Sequence, residues 1–180
     1  MLDPRAFLSP HFRWGELLRT DHRAFLVEQS DPPELVRRNL LRLARNLLEE
    51  LRSDLGPMRP TSGYRCPGLN KAVGGSGSKP GQKPSAHLEG RACDFHPVAC
   101  SEVEAMERIA ARVPWALDKA ILEVIGGGCW IHVQIAKPGA EARRQLLMTF
   151  GGVTYLPWDP RDRRVAAYRP IDLVKPGGGP

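Results

Sequence analysis

The sequence predicts an α+β fold, because two amphipathic helical segments are combined with several strand-like segments and a hairpin signal. The first helical segment spans residues 31–55, and the second begins at Ser101. Two strand-like stretches flank three consecutive glycines at 126–128, which is typical of a β-hairpin. At 180 residues, the chain has the length of one domain that can bury its own core.

The net charge of +6 favours acidic partners such as nucleic acid, an anionic membrane or an anionic cell-wall polymer. No nucleic-acid-binding motif accompanies this charge, so we expect no nucleic-acid partner. The N-terminus lacks the features of a signal peptide, and no run of about 18 apolar residues is present. We therefore expect synthesis in a cytoplasm and no stable insertion into a membrane.

Helix signals are strong in both helical segments. In the first, Asp31 is the predicted N-cap, two prolines occupy the first turn, and Gly56 follows the last apolar position. The apolar stripe of this helix repeats every three to four residues and comprises Val36, Leu40, Leu43, Leu47 and Leu51. In the second segment, Ser101 and Glu104 form a predicted capping box.

The segments between and after the helices predict strands and one long loop. Residues 58–64 are predicted to be extended, 66–86 to be a loop, and 91–95 to be a strand. The part of the loop at 78–84 is a candidate lid or rim. In the hairpin, residues 119–125 and 129–136 are the predicted strands, and alternation places Trp130, His132 and Gln134 on one face. Residues 143–155 favour one more strand or a short helix.

Two histidines and one aspartate are candidate metal ligands. His87 and Asp94 lie seven residues apart, and His132 lies on the second strand of the predicted hairpin. Two imidazoles and a carboxylate suit Zn²⁺, and three protein ligands leave a fourth tetrahedral position for water, as in catalytic zinc sites. From the residues alone, ordinary polar histidines remain an alternative to a metal site.

Three segments form a recognisable pattern. One is Ser-x-His-x-x-Gly-x-Ala-x-Asp from Ser85 to Asp94, the second is Trp-Ile-His-Val at 130–133, and the third is residues 62–76. Together they resemble the zinc D-Ala-D-Ala carboxypeptidase family, which also includes phage L-Ala-D-Glu endopeptidases. The predicted first helix also lies where that phage subgroup has one.

The resemblance implies a fold of the hedgehog/DD-peptidase type, in which a small antiparallel sheet carries a zinc site and packs on helices. It implies that His87, Asp94 and His132 are the zinc ligands and that Zn²⁺ is the cofactor. It also implies that Arg65 is a catalytic cation facing the substrate, since a guanidinium can grip a carboxylate or steady an oxyanion. A structural salt bridge is the alternative for Arg65.

The general base departs from the family pattern. Many members have an acid three residues before the second zinc histidine, and that position is Cys129 here. We expect Glu123 to be the base, with Asp118 as the alternative. The hairpin register decides whether Glu123 can reach the site. A three-residue turn with plain pairing turns Glu123 away from His132, whereas a one-residue shift or a bulge brings both to one face.

The resemblance implies a zinc metallopeptidase that cleaves peptidoglycan stem or cross-link peptides. We expect a phage endolysin that acts as an endopeptidase, is related to carboxypeptidases, and waits in the host cytoplasm for release by a holin before it reaches the cell wall. We expect a monomer with one peptidase domain at 1–155 and a Pro-, Arg- and Gly-rich extension at 156–180. The alternative is a non-catalytic, zinc-stabilised wall-binding or phage-tail module.

Overall fold

A six-stranded sheet packed on helices makes up residues 2–168, the part of the chain that the computed structural model describes. The helices are α1 Trp14–Leu17, α2 Leu26–Ser30, α3 Glu34–Leu43, α4 Glu49–Leu55, α5 Pro67–Ala72, α6 Glu102–Ala111 and α7 Arg163–Ala166. The strands are β1 Met58–Ser62, β2 Ala92–Pro97, β3 Leu117–Ile125, β4 Gly128–Ile135, β5 Gln145–Phe150 and β6 Tyr155–Pro157. Two short 3-10 turns cover Arg23–Phe25 and Ala86–Glu89.

The sheet has the strand order β1-β2-β4-β3-β5-β6. Strands β3 and β5 run parallel, and every other neighbouring pair is antiparallel. The α+β class is therefore confirmed, with a mostly antiparallel sheet. Because β2, β4 and β3 are adjacent, side chains from distant parts of the sequence meet on one face at the centre of the sheet.

The long amphipathic helix forms as predicted, with a different start. Helices α3 and α4 are joined by a π-helical turn at Ala44–Leu48, and the leucines of the predicted stripe are almost fully buried. The predicted N-cap at Asp31 is wrong. The helix begins at Glu34, and the Asp31 carboxylate accepts a hydrogen bond from Arg37 at 2.7 Å. The two prolines separate Asp31 from the first turn of the helix.

The predicted loop at 66–86 is partly wrong, because its first residues form α5. Pro67 occupies the first turn of this helix, where its fixed φ favours helix and its missing N–H costs nothing. Leu69 and Asn70 of α5 are buried, which anchors the helix to the rest of the fold. Only the part after α5 remains irregular, up to the short turn at Ala86–Glu89.

The hairpin closes with two residues and not with three. Ile125 pairs with Gly128, so Gly126 and Gly127 form the turn, with φ values of +59° and +83°. Two successive positive φ values are the signature of a type I′ hairpin turn, which glycine adopts without strain. The shorter turn sets the register of β3 against β4.

Residues 143–155 contribute strand β5, and the chain continues into β6 and α7. Val165 of α7 is fully buried, so residues up to 168 pack on the core. The boundary predicted at residue 155 falls within β6, and residues 169–180 of the predicted extension lie outside the described residues. Within residues 2–168, no helix has the length and apolar character that crossing a membrane requires.

Candidate metal centre

His87, Asp94 and His132 converge on one point in the interior. The distance from Asp94 Oδ1 to His132 Nδ1 is 2.8 Å, and His87 Nε2 lies 3.2 Å from each of these two atoms. All three residues are buried, with at most 8% of their surface exposed. Three ligand atoms from segments far apart in the sequence thus form one small triangle.

The sheet register positions two of the three ligands. Asp94 of β2 and His132 of β4 are direct partners across neighbouring antiparallel strands. Side chains of such partners emerge on the same face and close to each other. The carboxylate and the imidazole therefore meet because of backbone pairing.

His87 is held by the short 3-10 turn Ala86–Glu89. Ser85 caps this turn by accepting a hydrogen bond from the His87 N–H at 3.3 Å. Gly90 ends it in the left-handed conformation, with φ of +66°, and packs against α3 so closely that a Cβ would lie 2.8 Å from Val36. The serine and glycine of the Ser-x-His-x-x-Gly motif thus have structural roles in placing His87.

The dimensions of the triangle are close to those that a zinc ion needs. With bonds of about 2.0–2.1 Å and tetrahedral angles, ligand atoms on Zn²⁺ lie about 3.3 Å apart. The observed edges of 2.8–3.2 Å require only a small outward adjustment. The donor set of two imidazole nitrogens and one carboxylate oxygen also matches the preference of Zn²⁺.

Hydrogen bonds on the far side of each ring direct the lone pairs toward the centre of the triangle. His87 Nδ1–H donates to the carbonyl oxygen of Gly63 at 2.5 Å, and His132 Nε2–H donates to Gln134 Oε1 at 3.3 Å. These acceptors assign the tautomers, and such contacts typically orient the histidine ligands of metals. The remaining nitrogens, His87 Nε2 and His132 Nδ1, both face Asp94 Oδ1.

The electrostatics of the triangle favour a bound cation. Burial raises the pKa of Asp94, but its contacts with His87 and His132 outweigh this effect and hold the pKa far below its usual range. Burial lowers the pKa of His87 and so favours its neutral form. For His132, the hydrogen bond and charge of Asp94 overcome the effect of burial and raise the pKa. A metal ion would compete with a proton for His132 Nδ1.

The segment at 62–65 orients two of the candidate ligands, Asp94 and His87. Arg65 Nη2 donates to Asp94 Oδ2 at 2.5 Å, and Arg65 Nε donates to Ser62 Oγ at 2.8 Å. Asp94 therefore offers Oδ1 to the triangle and Oδ2 to the guanidinium. The carbonyl of Gly63 orients His87. Gly63 lies so close to Leu17 that a Cβ added at Gly63 would collide with the Leu17 carbonyl oxygen. The structure thus places the predicted catalytic Arg65 directly against a candidate ligand.

Glu123 lies on the same face of the sheet as His132. In the observed register Ile121 pairs with His132 and Glu123 pairs with Trp130, whose indole Nε1 donates to Glu123 Oε2 at 2.9 Å. Burial raises the pKa of Glu123, although the His132 charge opposes the shift. Cys129 pairs with Val124 and points to the opposite face. An acid at position 129 could not reach the triangle from this strand.

Asp118, the alternative base, is fully engaged elsewhere. It accepts hydrogen bonds from Arg143 Nε at 2.9 Å, from Arg143 Nη2 at 2.6 Å and from Gln134 Nε2 at 2.7 Å. These bonds lower its pKa against the opposing effect of burial. Because Gln134 also accepts from His132, Asp118 contacts the triangle only through Gln134.

Sequence reasoning missed two side chains on this face. Tyr155 of β6 lies in the same row as Glu123, since Glu123 pairs with Thr149 and Thr149 pairs with Tyr155. Lys119 pairs with Gln134 at the other end of the face. The register of β5 and β6 against the hairpin decides these placements, and no local pattern in the sequence reveals it.

The comparison with protein families shows the family to which the chain belongs. None of the curated proteins compared with the chain matches it. A model of the family described as peptidase M15 matches residues 11–133, which is more than half of the chain. The matched region contains His87, Asp94, His132, Arg65 and Glu123. The chain belongs to the peptidase M15 family, in agreement with the resemblance to zinc D-Ala-D-Ala carboxypeptidases.

Proposed function

We propose that the chain is a zinc-dependent peptidase that cleaves stem or cross-link peptides of peptidoglycan. The observation that carries this proposal is the triangle of His87, Asp94 and His132, whose dimensions fit Zn²⁺ and which shares its face of the sheet with Glu123. Membership of a peptidase family supports a metallopeptidase with a peptide substrate.

In the proposed site, His87 Nε2, Asp94 Oδ1 and His132 Nδ1 are the three ligands. A zinc ion bound there would polarise the scissile carbonyl and lower the pKa of water. The protein contributes the fixed orientation of each donor: Gly63 for His87, Gln134 for His132 and Arg65 for Asp94. Burial of all three ligands excludes bulk water from their side of the site.

Glu123 is the proposed general base. Its Oε2 is held by the Trp130 indole, while Oε1 has no hydrogen bond within residues 2–168 and is available to accept a proton from the attacking water. The carboxylate would then return the proton to the leaving amine. A raised pKa suits this role, because a base works best when its pKa approaches the working pH.

Arg65 is proposed to act on the substrate through charge. Its side chain is 19% exposed and is fixed by Ser62 and Asp94. A guanidinium held rigidly at this place can stabilise negative charge that develops on the scissile carbonyl. Its ion pair with Asp94 also keeps that carboxylate oriented, so the two proposed roles of Arg65 are compatible.

The finer assignment is an endolysin of phage origin that acts as an endopeptidase on the cell wall after release by a holin. The motif resemblance to the phage subgroup supports this part of the proposal. The basic net charge would favour accumulation on an anionic wall polymer. A monomer is the proposed state, since each proposed catalytic residue comes from one chain.

Digestion of purified peptidoglycan, followed by mass analysis of the released peptides, tests the proposal. The zinc-loaded protein should release products that differ from those of a no-enzyme control at one type of bond: L-Ala-D-Glu, D-Ala-diaminopimelate or D-Ala-D-Ala. A protein that binds zinc stoichiometrically and releases nothing would favour the alternative of a non-catalytic wall-binding or tail module.

A further inference from the structure

Lys119 lies on the face of the sheet that carries the triangle of His87, Asp94 and His132. Within β3, alternate residues Lys119, Ile121 and Glu123 share this face, and Ile121 is the direct partner of His132. With a rise of about 3.3 Å per residue, Lys119 and Glu123 are each about 7 Å from the position opposite His132. Lys119 and the proposed base therefore lie on either side of the strand position opposite His132.

The side chain of Lys119 is unusual among the lysines of this chain. Five lysines lie within residues 2–168, and all except Lys119 are exposed. The Lys119 ammonium has no hydrogen-bond or ion-pair partner in this part of the chain. The neighbouring Asp118 is already occupied by Arg143. A partly desolvated ammonium without an acceptor is unfavourable, and an anionic ligand would relieve that cost.

The surroundings of Lys119 add positive potential. Burial lowers the pKa of Lys119, and the charges of Arg143 and Lys83 lower it further, while Asp118 and Glu123 oppose the shift. Lys83 belongs to the loop at 78–84, so part of this positive potential comes from that loop. Arg65 and Arg143 already donate to aspartates, whereas the Lys119 ammonium has all its donors available for a new acceptor.

The proposed substrates share one anionic group. In an L-Ala-D-Glu, a D-Ala-diaminopimelate or a D-Ala-D-Ala bond, the carbon that carries the scissile nitrogen also carries a free carboxylate. Standard bond lengths place this carboxylate about 4 Å from the scissile carbonyl carbon. A cation on the same face, two residues along β3 from the position opposite His132, can therefore reach it.

We propose that Lys119 binds the substrate carboxylate that is attached to the same carbon as the leaving amine. This inference rests on the proposed function and deepens it: the site recognises a feature that all three candidate bonds have in common. An uncharged peptide, with an amide in place of this carboxylate, loses the contact. Lys119 is thus a specificity residue, separate from the metal ligands and from the base.

Binding of matched peptide pairs tests this proposal without turnover. The pairs are acetyl-D-Ala-D-Ala with its C-terminal amide, and acetyl-L-Ala-D-Glu with its α-amide, titrated calorimetrically into the zinc-loaded Glu123→Gln protein. With Lys119 present, the acid of at least one pair should bind about 10–100-fold more tightly than its amide, as expected for a charge-assisted hydrogen bond. Adding Lys119→Met should remove this preference and leave binding of the amide unchanged.

Two further variants sharpen the test. Lys119→Arg should retain most of the preference, and Lys71→Met, at an exposed lysine of α5, should retain all of it. Equal binding of acid and amide in both pairs, or a preference that survives Lys119→Met, would overturn the proposal. Peptidoglycan digestion by the unmodified protein tests the proposed function separately, because it needs turnover and the titration does not.

Discussion

Glu123 and His132 lie on the same face of the β3–β4 hairpin, displaced from each other by two residues along neighbouring strands. This relationship depends on the two-residue turn at Gly126 and Gly127. It places an acid on the same face as the triangle of candidate ligands, although Cys129 occupies the position at which many family members carry one.

Glu123→Gln should keep the zinc and lose turnover. The amide is isosteric and can still accept the hydrogen bond from Trp130, but it cannot take a proton. Loss of a general base typically lowers kcat by about 10²–10⁴-fold. Hydrolysis rates and zinc content of the purified variant measure the two effects. Turnover close to that of the unmodified protein would move the base to another group.

Gln134→Leu should weaken zinc binding by about 10–100-fold, because His132 loses the acceptor that fixes its tautomer and orientation. A competition titration with a chromophoric chelator measures the affinity. Gln145→Leu, at an exposed glutamine of β5, is the matched control and should leave the affinity unchanged. Equal affinities of all three proteins would show that Gln134 does not orient the ligand.

Asp118→Asn should destabilise the fold by about 1–3 kcal/mol at neutral pH, because it weakens the bonds to Arg143 and Gln134. Since the pKa of Asp118 is lowered on folding, its contribution is present above the unfolded pKa of about 4 and fades as the pH falls below it. Thermal unfolding across pH should therefore show the two proteins converging in acid.

The Asp118→Asn variant also distinguishes the two candidate bases, Glu123 and Asp118. With zinc at saturation, Asp118→Asn should retain far more turnover than Glu123→Gln, since Asp118 contacts the triangle only through Gln134. The reverse order of activities would assign the base to Asp118.

Arg65→Met should lower kcat by about 10²–10³-fold at saturating zinc, as for the loss of one oxyanion-stabilising donor. The metal must be saturating because the variant also leaves Asp94 Oδ2 without its partner, which should weaken zinc binding. An unchanged kcat under these conditions would restrict Arg65 to orienting Asp94.

Local patterns predicted the elements that depend on local physics. The leucine stripe of α3 and α4 and the capping box of Ser101 and Glu104 both appear in the structure, since periodicity and capping involve residues within one or two turns. The predicted N-cap at Asp31 was wrong because the prolines move the helix start to Glu34. Helix α5 was missed because it is short and lies among turn-forming residues.

The residues of the candidate site were predicted from motif resemblance, and their arrangement depends on strand pairing. Motif resemblance singled out His87, Asp94 and His132, and the structure brings them together. The side on which Glu123 lies could not be decided, because one residue in the turn inverts the face. Lys119 and Tyr155 were missed because their places follow from pairing between strands that are distant in the sequence. Non-local register, and not composition, determines the rest of the face.

The stoichiometry and affinity of zinc in the purified protein test the central claim most directly. Metal analysis should find one zinc ion per chain in the unmodified protein and almost none in His132→Ala, with His96→Ala as a matched control that keeps its zinc. His96 bonds to Glu102 and not to the triangle. A His132→Ala protein that is folded and still holds one zinc ion per chain would contradict the account.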